Sequence, residues 1–335
     1  MSKIQSQQNI DTSQWIDPDE RVEYYLNHQK SIELNLQQLL KLKERDYWTK
    51  KEVNLIAYKQ FEKTLTRWYC QLLMPLPFLR DIRALPFIKN YRDLHSLVDF
   101  FRPFYGQNLE IADFKFPLFY GEHGDTEGLP IIRKTRTPED KSSVLYNLRS
   151  FRFNLPCKTV QNTDIEWEHK NNNVIWRGAT TGAALREAFV KKYFQHYNIG
   201  FSSVKQKPEL ARFKKPPITI ADQLKSKFIV SLEGNDIASN LRWVLSSNSV
   251  PIMTKPRWRS WIMEEHLVAN IHYLELNDDL SNLEDLLTWA SNNDQECKQI
   301  ALNGRHFVHQ FLDDSLDVRI RRNVLQEYAS RAKYV

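Results

Sequence analysis

Two short stretches place glycine, small hydroxyls and arginine directly after apolar runs. The first is Trp176-Arg177-Gly178-Ala179-Thr180-Thr181-Gly182, leading into a helical pattern that carries Arg186. Glycine lets a backbone come close to an anion, and the free N–H groups at a helix start point towards it. The hydroxyls of Thr180 and Thr181 and the guanidinium groups of Arg177 and Arg186 add charge-assisted bonds. A diphosphate needs this set of groups. The stretch is not a P-loop, because Gly-Lys-Ser/Thr is missing, and its glycine spacing differs from the dinucleotide fingerprint. The second stretch is Glu233-Gly234-Asn235-Asp236, followed by Ala238, Ser239 and Arg242. Small residues at its helix start leave room for a ligand, and Arg242 lies one turn in, within reach of a phosphate. Each stretch alone also reads as a plain capping turn with solvated arginines. Two of them in one sheet point to a nucleotide diphosphate held between them. Further on, Glu264 is a carboxylate that can accept from both hydroxyls of a ribose, although a charged residue on a solvated helix is the ordinary reading. His272 lies inside an apolar run and reads as a core histidine.

The elements that position these residues follow from periodicity. Val174-Ile175-Trp176, residues 228–232, 249–253 and 271–276 read as strands. Residues 182–195 and 237–245 read as helices, as does a segment opened by Ser281 and Glu284 that buries Leu283, Leu286, Leu287 and Ala290. Repeated β-α-β predicts a parallel sheet covered by helices on both faces, in which ligands bind beyond the carboxyl ends of the strands. The chain closes with two helical patterns, residues 294–311 and 315–332. Near the start, Asp17-Pro18 reads as a helix cap followed by Val22, Tyr25 and Leu26, and Ile32, Leu36, Leu39 and Leu40 form a second helical stripe. Pro75, Pro77 and Pro86 break regular structure. Residues 154–173 and 205–217 read as linkers, the first as the domain boundary.

The chain has 335 residues with 47 basic and 41 acidic side chains, a net charge of +6. The length suggests two domains, and the excess of base is too dilute for a dedicated nucleic-acid binder. It suits an anionic substrate or the surface of an anionic membrane. Cys70, Cys157 and Cys297 are odd in number and far apart, which leaves neither a disulfide framework nor a zinc cage. Residues 1–14 are polar and carry no apolar core for a secretion machinery, so the expected location is the cytoplasm, with peripheral contact at the inner face of the membrane.

Several motifs occur together in one order: Trp176-Arg177-Gly178, the run from Phe228 to Trp243 that leads to Ser246-Ser247-Asn248-Ser249-Val250, His272-Tyr273 with Asp279-Leu280-Ser281 and Leu283, and Gly304-Arg305-His306-Phe307. In order and spacing they resemble glycosyltransferase family 90. The similarity covers about residues 131–311, and Arg21-Val22-Glu23-Tyr24-Tyr25 resembles the start of several members. The resemblance implies an α/β fold of GT-B type, two Rossmann-like domains facing a cleft, here with a helical N-terminal extension. Its expected parts are an acceptor-side domain over 1–165, a donor-nucleotide domain over 166–312, and a C-terminal helix over 313–335 packing back on the first.

The resemblance also implies an inverting transfer from a UDP-sugar, with no cofactor and no metal, to a saccharide or glycolipid acceptor such as lipopolysaccharide. The general base of related protein O-glucosyltransferases is an aspartate in Arg-Asp-Tyr-Pro. That wording is absent here, and Asp125 is the best positional match, with Glu122 second. Animal and fungal members carry an arginine six residues after the glycine of the second turn, where this chain has Asn240, and Arg242 is the basic side chain nearest to take over. Asp17-Pro18-Asp19 and Asn277-Asp278-Asp279 read as caps rather than as metal-binding Asp-x-Asp. A non-catalytic nucleotide-sugar or glycan binder is the alternative that the same motifs allow.

Overall fold

The computed structural model describes residues 15–41, 54–57, 91–105, 107, 110–119, 126–148, 150–182 and 184–335. The chain forms two compact units, one of residues 152–256 and 262–313 with the first 17, the other of residues 18–151, 257–261 and 314–335.

The first unit is organised by five parallel strands. They are β1 (Asn171–Ala179), β2 (Asn198–Ser203), β3 (Ser226–Val230), β4 (Val250–Met253) and β5 (Leu274–Glu275), in the order β5-β4-β3-β1-β2. The runs Val174–Trp176, Phe228–Val230 and Val250–Met253 within them are apolar throughout because both faces of the sheet are covered. Val174, Trp176, Phe228, Val230, Val250 and Ile252 face one core, with Phe189 and Val190 of helix α2 (Ala184–Tyr193), Leu283 and Ala290 of α5 (Leu283–Asn292) and Ile300 of α6 (Asp294–His309). Ile175 and Ile229 point the other way. They meet Cys157 and Val160 of α1 (Ser150–Thr163), Leu224 just after α3 (Ile220–Gln223), and Trp243 and Val244 of α4 (Leu241–Leu245). The helix that follows β1 therefore lies on one face and the helix that follows β3 on the other. Strand order reverses between β1 and β3, the kind of switch point beside which open parallel sheets bind their ligands.

Three local expectations change. Residues 154–173 do not form a linker, since α1 occupies residues 154–163, a short turn of helix covers Trp167–His169 and β1 begins at Asn171, while apolar side chains of α1 enter the core. The 237–245 helix is shorter, only Leu241–Leu245, because residues 231–240 are drawn into a loop by side-chain bonds described below. The 271–276 strand narrows to Leu274–Glu275, with His272 before it. The His272 ring packs on Phe307 at 5.4 Å and its Nδ1 accepts from the Val268 N–H at 2.9 Å, as a structural histidine would.

The second unit is built on a four-stranded sheet in which Asn54–Ile56 pairs antiparallel with Phe116–Leu118, which is followed in parallel by Ile132–Arg133 and Val144–Leu145. Ile32–Leu34, expected within a helical stripe, is instead a strand, paired in parallel with Ala332–Tyr334. Its alternating buried-exposed-buried pattern is that of a half-covered strand. The helix starting at Pro18 is present, as Pro18–Tyr25. Tyr25 stacks on Trp261 at 3.8 Å between ring centres, and its hydroxyl donates to the Trp261 carbonyl at 2.8 Å.

The closing helix Asp314–Arg331 buries Ile320, Val324, Leu325 and Tyr328, and carries an ionic cluster into the interior of this unit. The Arg321 guanidinium is 2.8 Å from Asp317 and 3.7 Å from Asp99, and it donates to the Asp99 carbonyl at 2.6 Å. Asn147 donates to Asp317 at 2.8 Å. The carboxylates hold the arginine above its ordinary pKa against the opposing effect of burial. Removing one partner of a buried pair leaves a charge without compensation. Asp317→Ala is thus expected to lower the unfolding free energy by about 3–5 kcal/mol, read as a shift of the urea midpoint at unchanged slope.

Candidate active site

The loops after β1 and β3 meet at their backbones. Gly182 has φ +81°, and a Cβ placed on it would lie 2.1 Å from the carbonyl carbon of Gly234 and 2.3 Å from the Asn235 nitrogen. Only glycine satisfies both the left-handed backbone and the close approach. One turn into α2, Arg186 spans the junction. Its Nε donates to the Glu233 carbonyl at 3.0 Å, Nη2 to the Leu232 carbonyl at 2.7 Å, and Nη1 to the Thr181 hydroxyl at 2.8 Å. A Cβ on Gly234 would sit 2.8 Å from that guanidinium, so a side chain there would push the arginine out of its place between the loops. Both loops and a cation form one assembly at the carboxyl ends of neighbouring strands.

Around it, Thr180 is buried, and its hydroxyl has no protein hydrogen-bond partner. The Ser231 hydroxyl donates to Asn240 Oδ1 at 2.9 Å, while Asn240 Nδ2 donates to the Val230 carbonyl at 2.9 Å. Asn240 thus clasps the loop that starts at the end of β3, and this is what shortens α4. Ala238 and Glu264 line a small pocket with Ser231, Thr254 and Leu241. Glu264 is only 1% exposed and follows Met263, whose φ of +53° turns the chain inward. Ser239 is exposed at the foot of the same loop.

Two arginines turn elsewhere. Arg177 donates to Asn198 through its carbonyl at 2.8 Å and its Oδ1 at 2.7 Å, and to the Pro216 carbonyl at 3.0 Å. Asn198 is level with Ile175 in the β1–β2 register, so the guanidinium reaches back along the sheet, away from the carboxyl ends of the strands. Burial lowers its pKa from the ordinary arginine value. Arg242 is buried against α1, over the Phe153 ring at 5.2 Å, and donates to Asn154 Oδ1 at 2.7 Å. Gly178 lies over the Trp176 ring, 2.4 Å from where its Cβ would be. The structure therefore joins Thr181, Gly182, Arg186, Gly234 and Asn235 in one cluster and Ala238 with Glu264 in the adjoining pocket. Arg177, Arg242 and Asn240 serve the frame. Asp125 and Glu122 lie outside the described residues.

The family model described as glycosyl transferase family 90 matches residues 64–335 of the chain. The chain belongs to glycosyl transferase family 90.

Among curated relatives of this family 90 chain, the O-glucosyltransferase LpsA of Dichelobacter nodosus is 27% identical over 244 residues, which is 72% of each protein. Protein O-glucosyltransferase 2 of Danio rerio is 26% identical over 192 residues, 53% of this chain and 37% of the relative. Protein O-glucosyltransferase 1 of Homo sapiens is 22% identical over 174 residues, 50% of this chain and 44% of the relative. The match to the animal proteins thus spans less than half of their length. The family assigns the chain as a glycosyltransferase, an enzyme that moves a sugar.

For this family 90 enzyme, sequence reasoning overlooked Ser231 and Thr254, which line the pocket. Each is the first polar residue after an apolar strand run, which is the signal that marks them. The contact of Gly182 with Gly234 generates a direct expectation. Gly182→Ala should cost about 2 kcal/mol of unfolding free energy from the left-handed backbone alone, with a larger loss if the loops cannot separate, as measured by chemical denaturation beside Gly128→Ala as an uncrowded left-handed control.

Proposed function

We propose that this glycosyltransferase has a GT-B arrangement and takes its sugar from a UDP-sugar, inverting the anomeric centre without a metal, for delivery to a saccharide of a surface glycan such as lipopolysaccharide. The observation that carries the donor reading is the junction of the β1 and β3 loops over the Arg186 guanidinium, at the switch point of a parallel sheet. A leaving diphosphate there meets the amino end of α2, the Thr180 hydroxyl and a fixed positive charge, which together oppose its developing negative charge. Arg186 spends donors on carbonyls and Thr181, so it acts by holding the loops and by its charge rather than as a flexible clamp. Glu264, in the adjoining pocket, is the carboxylate for the ribose hydroxyls.

Single displacement needs a base on the acceptor side. A carboxylate takes the proton from the acceptor hydroxyl, that oxygen attacks the anomeric carbon, and the bond from that carbon to the diphosphate oxygen breaks, releasing UDP. Asp125 is the residue proposed for this role, with Glu122 as the alternative carboxylate. The relatives' printed name, O-glucosyltransferase, supports glucose as the first sugar to test and an oxygen as its acceptor, and LpsA supports a lipopolysaccharide context. Among the described residues no helix is long and apolar enough to cross a membrane. Lys255, Arg257 and Arg259 provide basic side chains for contact with an anionic inner membrane face, where such an acceptor is assembled.

Thermal unfolding with a nucleotide panel tests the donor site, because a ligand specific to the folded state raises apparent stability. UDP and UDP-glucose are expected to raise the melting temperature while ADP and GDP do not, and Arg186→Lys should weaken UDP binding about tenfold because an ammonium cannot fork between the loops. Equal stabilisation by all diphosphates would defeat the uridine assignment. Asp125→Ala should retain the UDP response yet reduce transfer by about 100-fold or more. If Glu122→Gln alone abolishes transfer, the base is Glu122.

A further inference from the structure

The second unit contains a cavity of about 420 Å³ that no step above uses. It lies within the usual size range of small-molecule sites, roughly 300–1,000 Å³. Trp258, Arg133, Glu139, Asp140, Lys141 and Thr126 line it, together with other hydroxyls. Thr126 is also the residue that follows Asp125 in the chain.

Its walls are built in advance. The 137–143 loop is pinned from several directions: Asn27 Nδ2 donates to the Asp140 carbonyl at 2.9 Å, and Gln29 Nε2 to the Ser142 carbonyl at 2.8 Å. Arg136, itself buried, donates to the Ser143 carbonyl at 2.9 Å and to the Tyr24 carbonyl at 2.6 Å. Asp140 Oδ1 accepts from the N–H groups of Ser142 and Ser143 at 3.2 and 2.9 Å. The residues that hold this loop come from the chain just after the first helix, where Asn27 and His28 both have positive φ. Thr126 and Gly128 also line it, and Glu127 and Gly128 are successive residues with φ of +51° and +76°, closed by the Leu129 N–H to the Thr126 carbonyl at 2.9 Å. A glutamate held there is strained, and such strain is concentrated where a site needs a fixed shape. A rigid pocket loses little entropy when it binds.

Its charges cancel. Arg133 lies 3.8 Å from Asp140, and Glu139 is held by its own backbone N–H and the Thr137 hydroxyl, which lower its pKa. Among the side chains that line the cavity two cations, Arg133 and Lys141, thus face two carboxylates, Glu139 and Asp140, so the lining itself carries no net charge. What remains is an indole ring beside paired donors and acceptors, the combination that matches a sugar: an apolar ring face and a rim of hydroxyls.

We propose that this pocket is an acceptor subsite that seats one neutral hexopyranose unit of the acceptor saccharide, with Trp258 as its platform. The inference rests on the transferase reading above and names the chemical class of its acceptor.

Saturation-transfer NMR on the full chain tests it, with methyl glycosides of glucose, galactose and mannose as neutral probes and glucose 6-phosphate as the anionic comparator, all with UDP present. At least one neutral glycoside is expected to bind, its affinity falling about tenfold in Trp258→Ala and recovering largely in Trp258→Phe, a loss of the size expected for one aromatic contact. The UDP-induced rise in melting temperature should be the same in all three proteins, which shows that the variants are folded. Absence of binding by every neutral glycoside, binding unaffected by Trp258→Ala, or binding of glucose 6-phosphate alone would each overturn the proposal. A chain that UDP stabilises but no neutral glycoside visits disproves the subsite and leaves the donor reading standing. A chain that ignores UDP but binds a glycoside through Trp258 disproves the donor reading and leaves the subsite standing.

Discussion

One guanidinium can serve two loops only if the loops are allowed to touch. At the head of the five-stranded parallel sheet, the Gly182 and Gly234 backbones come so close that a methyl group on Gly182 would lie 2.1 Å from the carbonyl carbon of Gly234. Arg186 fills the space beneath and donates to both sides. The rest of the unit follows from this contact. The loop after β3 must run as an open segment rather than as a long helix, and Ser231 and Asn240 hold it in that form. Bonds to carbonyls restrict the guanidinium to one position, so its charge is fixed where the two loops meet.

The second unit solves a different problem. Its sheet strands are two or three residues long among those described, too short to stabilise it through backbone pairing alone. Aromatic packing supplies much of the remainder. Phe100 meets Phe116 and Tyr146 at 5.6 and 4.9 Å between ring centres, and Phe116 meets Tyr328 of the last helix at 5.9 Å. The cluster of Arg321, Asp317 and Asp99 then sets the register of that helix, because a buried cation tolerates no position in which its carboxylates are lost. Chain ends are tied in as well. Ile32–Leu34 and Ala332–Tyr334 form a parallel pair, and Arg331 binds Glu23 of the first helix.

Much of the unit built on the five-stranded sheet was legible from local pattern. Val174-Ile175-Trp176 and residues 228–232 are apolar runs bounded by polar turns, and buried parallel strands require that composition. The glycine-containing turns after them were recognisable for the same reason. The functions of individual arginines were not. Arg177, Arg186 and Arg242 look alike in sequence, since each lies within a few residues of a glycine turn. Their roles separate only when the positions of acceptors are known: Asn198 and Pro216 draw Arg177 back along the sheet, Asn154 and Phe153 draw Arg242 to α1, and Arg186 alone finds the carbonyls of the second loop. Ile32 was misread for a related reason. Its spacing to Leu36 and Leu39 matches a helix, while the strand that pairs with it is 300 residues further on by register.

The amino-acid sequence by itself determined the class of this protein: an α/β chain with parallel strands, two glycine-containing turns after strands in its second half, and the ordered motifs of glycosyl transferase family 90. These are short-range properties, set by period, by glycine's freedom at a turn and by burial of continuous apolar runs. Tertiary structure decided which loops touch, which arginine joins them, and that Trp258 shares a cavity with residues 126–142 although more than 100 positions of chain lie between. The physical reason is that a hydrogen bond or a shared cavity depends on distance in space, and only the packing of strands and helices turns separation along the chain into proximity.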